Sequence, residues 1–467
     1  MVLPRAVWLA IALVLGLAAT LVLHAHHSIG LGLSGLALIA LIPAVWEPET
    51  ALALLLAFMP FRTLIGAVSP LPLHFVADLV VFVLALRVLI LHARTIFPLN
   101  AVEIFGLLFI AVGLAATVHA HVRLAGAALE IRDLFLFWLL YAAVRRLIAV
   151  GDGPSADFWP RAVPIAVGAI AVIGLGGLIG LATGHVQRFL IPGPWQREAI
   201  SAVNRGRPYG LVNNPNIFGE LGAIALVLTY ARFRQSGLRP LLLGVVLCGF
   251  FLAMIVFSYS RTAWIVTGVA FIVYFLAAGG LRERLGIVLA AAALTLTIVG
   301  LPHAKHRVVT VASRSAIRHS QKAGRLETVR LAASLVRRRP LGTGLGTFGS
   351  GASRVFHQSA PGVPHRFYAD DNYAALLVET GPIGFLLFVL LGLSVYARIY
   401  RAQAPPDDRL CVFVLFLALS LIAATSNGWE QLNLTVYPWL ALGVLTAETT
   451  GGLHLGRLPA RLRLRGA

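Results

Sequence analysis

The sequence predicts an all-α fold, a polytopic transmembrane helical bundle of about 12–14 spans with a long helical loop on one face. Three observations predict it. The chain is 58% hydrophobic and only 12% charged over 467 residues, whereas a soluble domain of this size carries about 25% charge. Apolar stretches of roughly 20 residues, the length a helix needs to cross a bilayer, recur from one end of the chain to the other. The short loops between them alternate in charge, as membrane topology requires.

The first stretch, 6–23, follows Arg5. It is longer than the apolar core of a signal peptide, and a second span begins near Ile29, so it reads as a span. Spans follow near 29–46, 50–68, 73–91, 101–118, 128–147, 162–182, 215–233, 240–257, 262–278, 284–301, 373–397, 410–426 and 432–448. Pro43, Pro48, Pro60 and Arg62 interrupt the second and third, and if these are half-spans the total falls to the lower figure. Cys248 and Cys411 both lie in apolar runs, which argues against a disulfide framework. No metal-ligand spacing such as CxxC or HExxH occurs, no repeat of 20–50 residues is present, and one membrane domain over 1–467 is expected.

The loops holding Arg87/Arg94, Arg145/Arg146, Arg232/Arg234/Arg239, Arg282/Arg284 and Arg398/Arg401 fall on one side, with Arg5 and the tail from Arg457 to Arg465. The positive-inside rule makes that side cytoplasmic. Two long loops, 183–214 and 302–372, are then external. The second is basic, with Lys305, Arg307, Arg314, Arg318, Lys322, Arg325, Arg330 and Arg337–Arg339, which contributes to the net charge of +19. A basic surface beside a membrane suits an anionic partner such as a lipid head group or a diphosphate. An amphipathic helix lying on lipid phosphates explains the run 337–339 equally well.

Four segments carry candidate chemistry. In "GRPYGLVNNPNIFGEL" (206–221), Asn213, Asn214 and Asn216 form a turn, and Asn216 is expected to cap the helix that follows. That capping does not explain Arg205 and Arg207. In "SYSRTAWI" (258–265), Arg261 is the single charge between Arg239 and Arg282. A guanidinium at that depth needs a partner or a watery cavity, or it snorkels to the interface. In "GRLETVRLAASLVRRRPLGTGLGTF" (324–348), apolar residues from Leu326 to Val336 fall at helical spacing and Pro340 stops the helix. The glycines at 342, 344 and 346 allow tight turns. The string looks like GxGxxG but lacks the preceding strand, so no nucleotide site is expected. In "RFYADDNYAALLVETGPIGFLLF" (366–388), Asp370 and Asp371 stand where hydrocarbon begins and Glu379 lies two turns further in. Helix capping accounts for one aspartate. A carboxylate or histidine, Asp370 or the nearby His365, beside arginines is what acid–base chemistry on a phosphate-linked substrate needs.

These segments, in this order, resemble the O-antigen ligase and O-antigen polymerase superfamily of bacterial membrane glycosyltransferases. The resemblance rests on NPN at a helix start, SxSR, GR followed by PLGTGLGTF, and YxxxLxExGxxGF read on Tyr373, Leu377, Glu379, Gly381 and Gly384, and it covers roughly 205–390. It implies a GT-C-like enzyme that moves a glycan from a polyprenyl-diphosphate carrier to an acceptor glycan or lipid A-core, with no cofactor and no metal. It implies the bacterial inner membrane, with the active site facing the periplasm. The implied partners are the lipid-linked glycan donor, the acceptor and membrane lipid, with a chain-length regulator as a further protein partner and no nucleic acid. By position the two arginines that hold the diphosphate map to Arg261 and Arg325. The family's His-Asn pair maps to Asp370 and Asp371, a departure that tilts the reading toward a polymerase. Asp370, Arg261, Arg325 and His365 are the expected catalytic residues; Arg205, Arg207, Asn214, Asn216, Asp371 and Glu379 are expected to bind substrate. A transporter or flippase of lipid-linked substrate, and a protein O-glycosyltransferase, remain as alternatives.

Overall fold

A computed structural model of the protein describes residues 46–68, 75–155, 157–183, 207–208, 211–212, 214–234, 238–278, 280–300, 325–363, 367, 369 and 371–447. Nearly all of the first two expected spans, most of the first long loop and the first third of the second lie outside these residues. The described chain is helical throughout. The elements are α1 (Pro48–Phe58), α2 (Arg62–Val68), α3 (Val76–Leu91), α4 (Ala101–His119), α5 (Leu124–Ala149), α6 (Phe158–Thr183), α7 (Pro215–Phe233), α8 (Leu238–Phe257), α9 (Arg261–Ala277), α10 (Leu281–Gly300), α11 (Arg325–Arg338), α12 (Gly351–Val355), α13 (Asn372–Arg401), α14 (Pro406–Ala423) and α15 (Leu432–Leu445). Among the described residues, five helical stretches are long and apolar enough to cross a membrane: Pro48–Gly66, Ala101–His119, Phe158–Thr183, Glu283–Gly300 and Asn372–Arg401. Three shorter apolar helices accompany them.

The prolines expected to interrupt the third span do not break it. Pro48 occupies the first turn of α1, where its missing N–H costs nothing, and Pro60 sits in a 3₁₀ turn, Met59–Phe61, that hands α1 directly to α2. The stretch is 78% buried, whereas α10 is only 11% buried over its apolar window. The first is therefore a core helix and the second faces the surroundings with Leu285, Val288, Leu289, Leu296 and Val299 exposed. The core joins α1–α10 and α13–α15 around Phe61, Phe109, Phe137, Tyr141, Phe218 and Tyr437.

One end of the bundle is closed by ion pairs. Glu103 of α4 receives Arg145 and Arg146 of α5, Arg87 grips Asp152 through two nitrogens at 2.5 and 2.7 Å, and Arg234 joins Glu283 to Asp407 at 3.0 Å each. This is the arginine-rich end that positive-inside reasoning assigns to the cytoplasm.

The amphipathic segment expected near 326–336 is α11. Its buried residues, Thr328, Ala332 and Leu335, recur at i, i+4 and i+7, while Arg330, Arg337 and Arg338 face outward. It packs on α13 and shares a second, smaller core with Phe348, Ala374, Ala375 and Val378. The helix is therefore seated on protein, where the sequence alone left a lipid surface equally open.

α13 is broken at Gly381, which adopts φ 68° and ψ 178° directly before Pro382. The loop after α11 closes onto the break: Thr343 N–H donates to Val378 C=O and Gly344 N–H to Glu379 C=O, each at 3.0 Å. Gly342 and Gly381 both have positive φ, and a Cβ on either would lie 2.3–2.4 Å from the backbone of the opposite segment. Gly381→Ala and Gly342→Ala are each expected to cost more than about 2 kcal/mol of stability. Gly392→Ala, in the same helix with open space around it, is expected to be neutral or to stabilise by up to about 1 kcal/mol. Thermal unfolding of the purified protein in detergent checks the contrast, and equal effects at all three positions would refute the interlock.

Candidate functional site

The end of the bundle opposite the ion pairs gathers the polar segments singled out in the sequence. Asn214, not Asn216, caps α7: its side-chain oxygen accepts the N–H of Asn216 at 2.8 Å. The expected cap was two residues late because Pro215 takes the first helical position, which leaves the capping role to the residue before it. Asn216 is used instead by Arg207. That arginine is buried, and it donates from Nη2 to Asn216 Oδ1 at 2.6 Å and from Nε to Ser258 C=O at 2.8 Å. One guanidinium thus fastens the start of α7 to the turn between α8 and α9.

That turn is tightly built. Ser258 accepts the N–H of Ser260, Tyr259 takes φ 51°, and Ser260 caps α9 through the N–H of Ala263. Arg261 is the first residue of α9. It is exposed, and its side chain has no hydrogen bond or ion pair with any described residue. The next residue, Thr262, meets Thr425 hydroxyl to hydroxyl at 2.6 Å and so ties α9 to the end of α14.

Beyond Thr425 the chain makes a polar turn, "SNGWEQ", with a 3₁₀ helix at Gly428–Glu430. Glu430 Oε1 accepts from Asn372 Nδ2 at 2.7 Å, and Asn372 Oδ1 accepts Trp429 N–H at 2.9 Å. Asn372 is wholly buried at the start of α13. Asp371 is the cap of that helix and takes the N–H groups of Tyr373 and Ala374 at 2.9 and 3.2 Å. The capping aspartate of the pair is therefore Asp371.

Glu379 is fully buried and its Oε1 accepts two backbone N–H groups, from Thr347 and Phe348, both at 2.8 Å. The glycine-rich string that looked like a phosphate loop does cradle an anion, and the anion is the chain's own carboxylate. Glu379 is thereby committed to the loop, and no arginine contacts it among the described residues.

α5 adds a further layer of acids. Arg132 pairs with Asp78 through two contacts at 2.5 and 2.6 Å and with Asp133 at 2.5 Å, as expected for charges within spans. Glu130 is 1% exposed, and its Oε2 has no hydrogen bond among the described residues. Glu430 accepts further N–H donors on its other oxygen, Gly351 at 3.3 Å and Asn427 Nδ2 at 3.2 Å. It is half-buried. Burial, with Asp133 and Glu379 nearby, pushes its carboxyl up to about 8.

Of the expected site residues, Arg207, Asn214 and Asn216 are joined by hydrogen bonds, Arg261 follows the turn that Arg207 grips, Asp371 caps α13, and Glu379 is bound to the glycine loop. Arg325 begins α11, in a helix seated on α13. Asp370, His365 and Arg205 lie outside the described residues. Sequence reasoning passed over Asn372 and Glu430. The available signal was a polar hexapeptide with one acid between two closely spaced apolar runs. Glu220, buried one turn beyond Asn216, was passed over as well.

Three capped helix N-termini and an exposed arginine meet here. Helix starts present N–H groups and partial positive charge, so the arrangement favours an anion at the edge of the bundle.

Residues 243–389 match the family model described as O-antigen ligase. The matched segment holds SxSR, the GR helix with its glycine loop, and YxxxLxExGxxGF; the NPN helix start lies outside it. Over that segment the chain resembles the O-antigen ligase and polymerase superfamily. With its apolar helices, the match supports an integral membrane enzyme of glycan transfer in O-antigen or polysaccharide synthesis. No curated protein matches the chain.

The Arg207 bridge makes a checkable statement. Arg207→Ala and Asn216→Ala are expected to be non-additive, with a coupling of about 1–3 kcal/mol in a double-mutant cycle on thermal or denaturant unfolding. Arg207→Lys is not expected to rescue, because one ammonium does not reproduce the fork that reaches both acceptors. Additive single effects would remove the bridge from the argument.

Proposed function

We propose that the protein transfers a glycan from a polyprenyl-diphosphate carrier to an acceptor glycan at the end of the bundle where α7, α9 and α13 begin. The observation that carries the reading is Arg261: an exposed guanidinium at a helix N-terminus, with no counterion among the described residues, inside the segment that matches the O-antigen ligase family. The opposite end holds Arg87, Arg145, Arg146, Arg234, Arg398 and Arg401, which supports placing the reacting end in the periplasm and the protein in the bacterial inner membrane.

The donor enters sideways from the membrane with its diphosphate at the boundary. Arg261, joined by Arg325 at the start of α11, neutralises the diphosphate and the charge that develops on it as it leaves. The acceptor hydroxyl attacks the anomeric carbon. The bond from that carbon to the diphosphate oxygen breaks, its electron pair leaves with the polyprenyl diphosphate, and the hydroxyl proton passes to Asp370. One in-line attack inverts the anomeric centre. Asp371, held in its cap, fixes the first turn of the helix behind Asp370. The aspartate at this step favours a polymerase over a ligase to lipid A-core.

The test uses purified protein, a polyprenyl-diphosphate oligosaccharide and a glycan acceptor, read by mass spectrometry for released carrier and longer glycan. Wild type is expected to release carrier in proportion to glycan formed, with or without EDTA. Arg261→Ala is expected to lower kcat by about 100-fold or more, as loss of a charge-stabilising donor does. Asp370→Asn is expected to lower it by about 100- to 10,000-fold, and His365→Ala to leave it within about threefold. A dead His365→Ala beside an active Asp370→Asn would reassign the base. Carrier that stays glycan-linked but crosses a bilayer would make the protein a transporter.

A further inference from the structure

We propose that Glu430 is a positioning residue of this site: through the side chain of Asn372 it fixes the first turn of α13 and its cap, Asp371. The inference rests on the transfer reading and adds a residue from the turn after α14, outside the family match, that the sequence did not single out.

Asn372 is held from both sides, and both contacts lead to the same turn. Its Nδ2 donates to Glu430 Oε1 and its Oδ1 accepts from Trp429 N–H, at 2.7 and 2.9 Å with no exposed surface. The residue directly before it is the cap Asp371, and the residue before that is Asp370. Glu430 also reaches the far end of the glycine loop, where Gly351 N–H donates to Oε2. One carboxylate therefore sets the spacing between three segments: the 428–430 turn, the head of α13 and the loop that seats on α13.

A purely structural link does not call for a carboxylate here. Glu430 takes part in no ion pair among the described residues. It faces Glu130 and Asp133 from α5 and Glu379 from α13. α15 has no charged residue, and the charges of α14 lie at its opposite end. Burying an acid among acids is costly, and such groups are kept where they serve a site. All three partners of Glu430 are N–H donors. They suit the ionised carboxylate, and a proton on either oxygen would turn one of these contacts into a meeting of two donors.

The sign of the pH dependence follows. The carboxyl is pushed up to about 8 in the folded protein from an ordinary value of 4.5. The stability gained by taking up this proton is fully present below about 4.5 and is lost as pH rises through about 8. The positioning network works the other way, since it is complete when the proton is gone. Activity is thus expected to rise through about pH 8 while the stability contribution of this group falls, so a rise in rate there is not a gain in folded protein.

The experiment measures carrier release from about pH 6 to 9.5 for wild type, Glu430→Gln, Glu430→Asp and Asn372→Ala, alongside hydrogen exchange of the 371–376 segment. Wild-type kcat is expected to rise through about pH 8. Glu430→Gln should lower kcat roughly 10- to 100-fold, leave donor KM within about twofold and flatten the rise. Glu430→Asp should keep the rise with part of the rate, and Asn372→Ala combined with Glu430→Gln should be little worse than either alone. Exchange at the head of α13 should quicken in Glu430→Gln. A Glu430→Gln enzyme with wild-type kcat per folded molecule and an unchanged pH rise overturns the proposal, and so does unchanged exchange. A wild type that releases no carrier refutes the transfer reading instead, and the exchange result still decides whether Glu430 holds this turn.

Discussion

Pro382 has no N–H to give the carbonyl of Val378, and Gly381 turns the chain out of helical geometry directly before it. In a membrane-spanning element a freed carbonyl must find another donor or cost several kcal/mol, on the order of the penalty for an unsatisfied polar group. The glycine loop supplies those donors at Thr343 and Gly344. It approaches closely enough to do so because Gly342 has no Cβ to strike the carbonyl of Glu379. The loop then closes on the side chain of Glu379 through Thr347 and Phe348. Two short helices are hung on this interlock: α11 precedes the loop and packs on α13, and α12 follows it and packs on α5.

The interlock explains why the polar end can be polar at all. Carboxylates at Asp78, Glu130, Asp133, Glu220, Glu379 and Glu430 lie in or beside helices meant for hydrocarbon. Most are retained by directed contacts: Asp78 and Asp133 by Arg132, Glu379 by backbone N–H groups, Glu430 by three N–H donors. Cations are distributed differently. Arg207 is consumed in joining α7 to the α8–α9 turn, so it shapes the site, while Arg261 stands exposed one helix away. The division of labour between these two arginines separates a residue that builds the anion-favouring end from one that faces outward from it.

Much of this was legible in the sequence because hydrocarbon imposes a strong pattern. The spans near 101–118, 128–147, 215–233, 262–278 and 373–397 each correspond to a helix whose ends fall within a few residues, since apolar length and basic flanks are set by the bilayer itself. The amphipathic stretch before Pro340 was legible for a similar reason: period 3.6 and a proline stop are local. What failed to show was pairing. Nothing local in "NNPN" decides between Asn214 and Asn216 as cap, and the answer depends on Arg207 claiming Asn216. The loop GTGLGTF displays anion-binding backbone, but its partner is 31–32 residues further on, at Glu379. Glu430 and Asn372 are 58 positions apart, and neither has a neighbour in sequence that hints at the other.

The three acids at the head of α13 now separate by what each can reach. Glu379 is turned inward and spent on the glycine loop. Asp371 is spent on the first N–H groups of its helix, a position the helix dipole favours for a negative charge. Capping needs one residue, at the junction itself, and the sequence supplies two. Asp371 meets that need by taking the N–H groups of Tyr373 and Ala374. The helix start that follows Asp370 in sequence is capped by Asp371 and anchored on both sides of the Asn372 amide. Rigidity at that point is what acid–base chemistry asks of its scaffold, because a proton moves only over hydrogen-bond distances. Asn372, Trp429 and Glu430 together fix the head of α13 from the side of the turn after α14, and under the proposed transfer that anchoring serves the chemistry at the start of this helix.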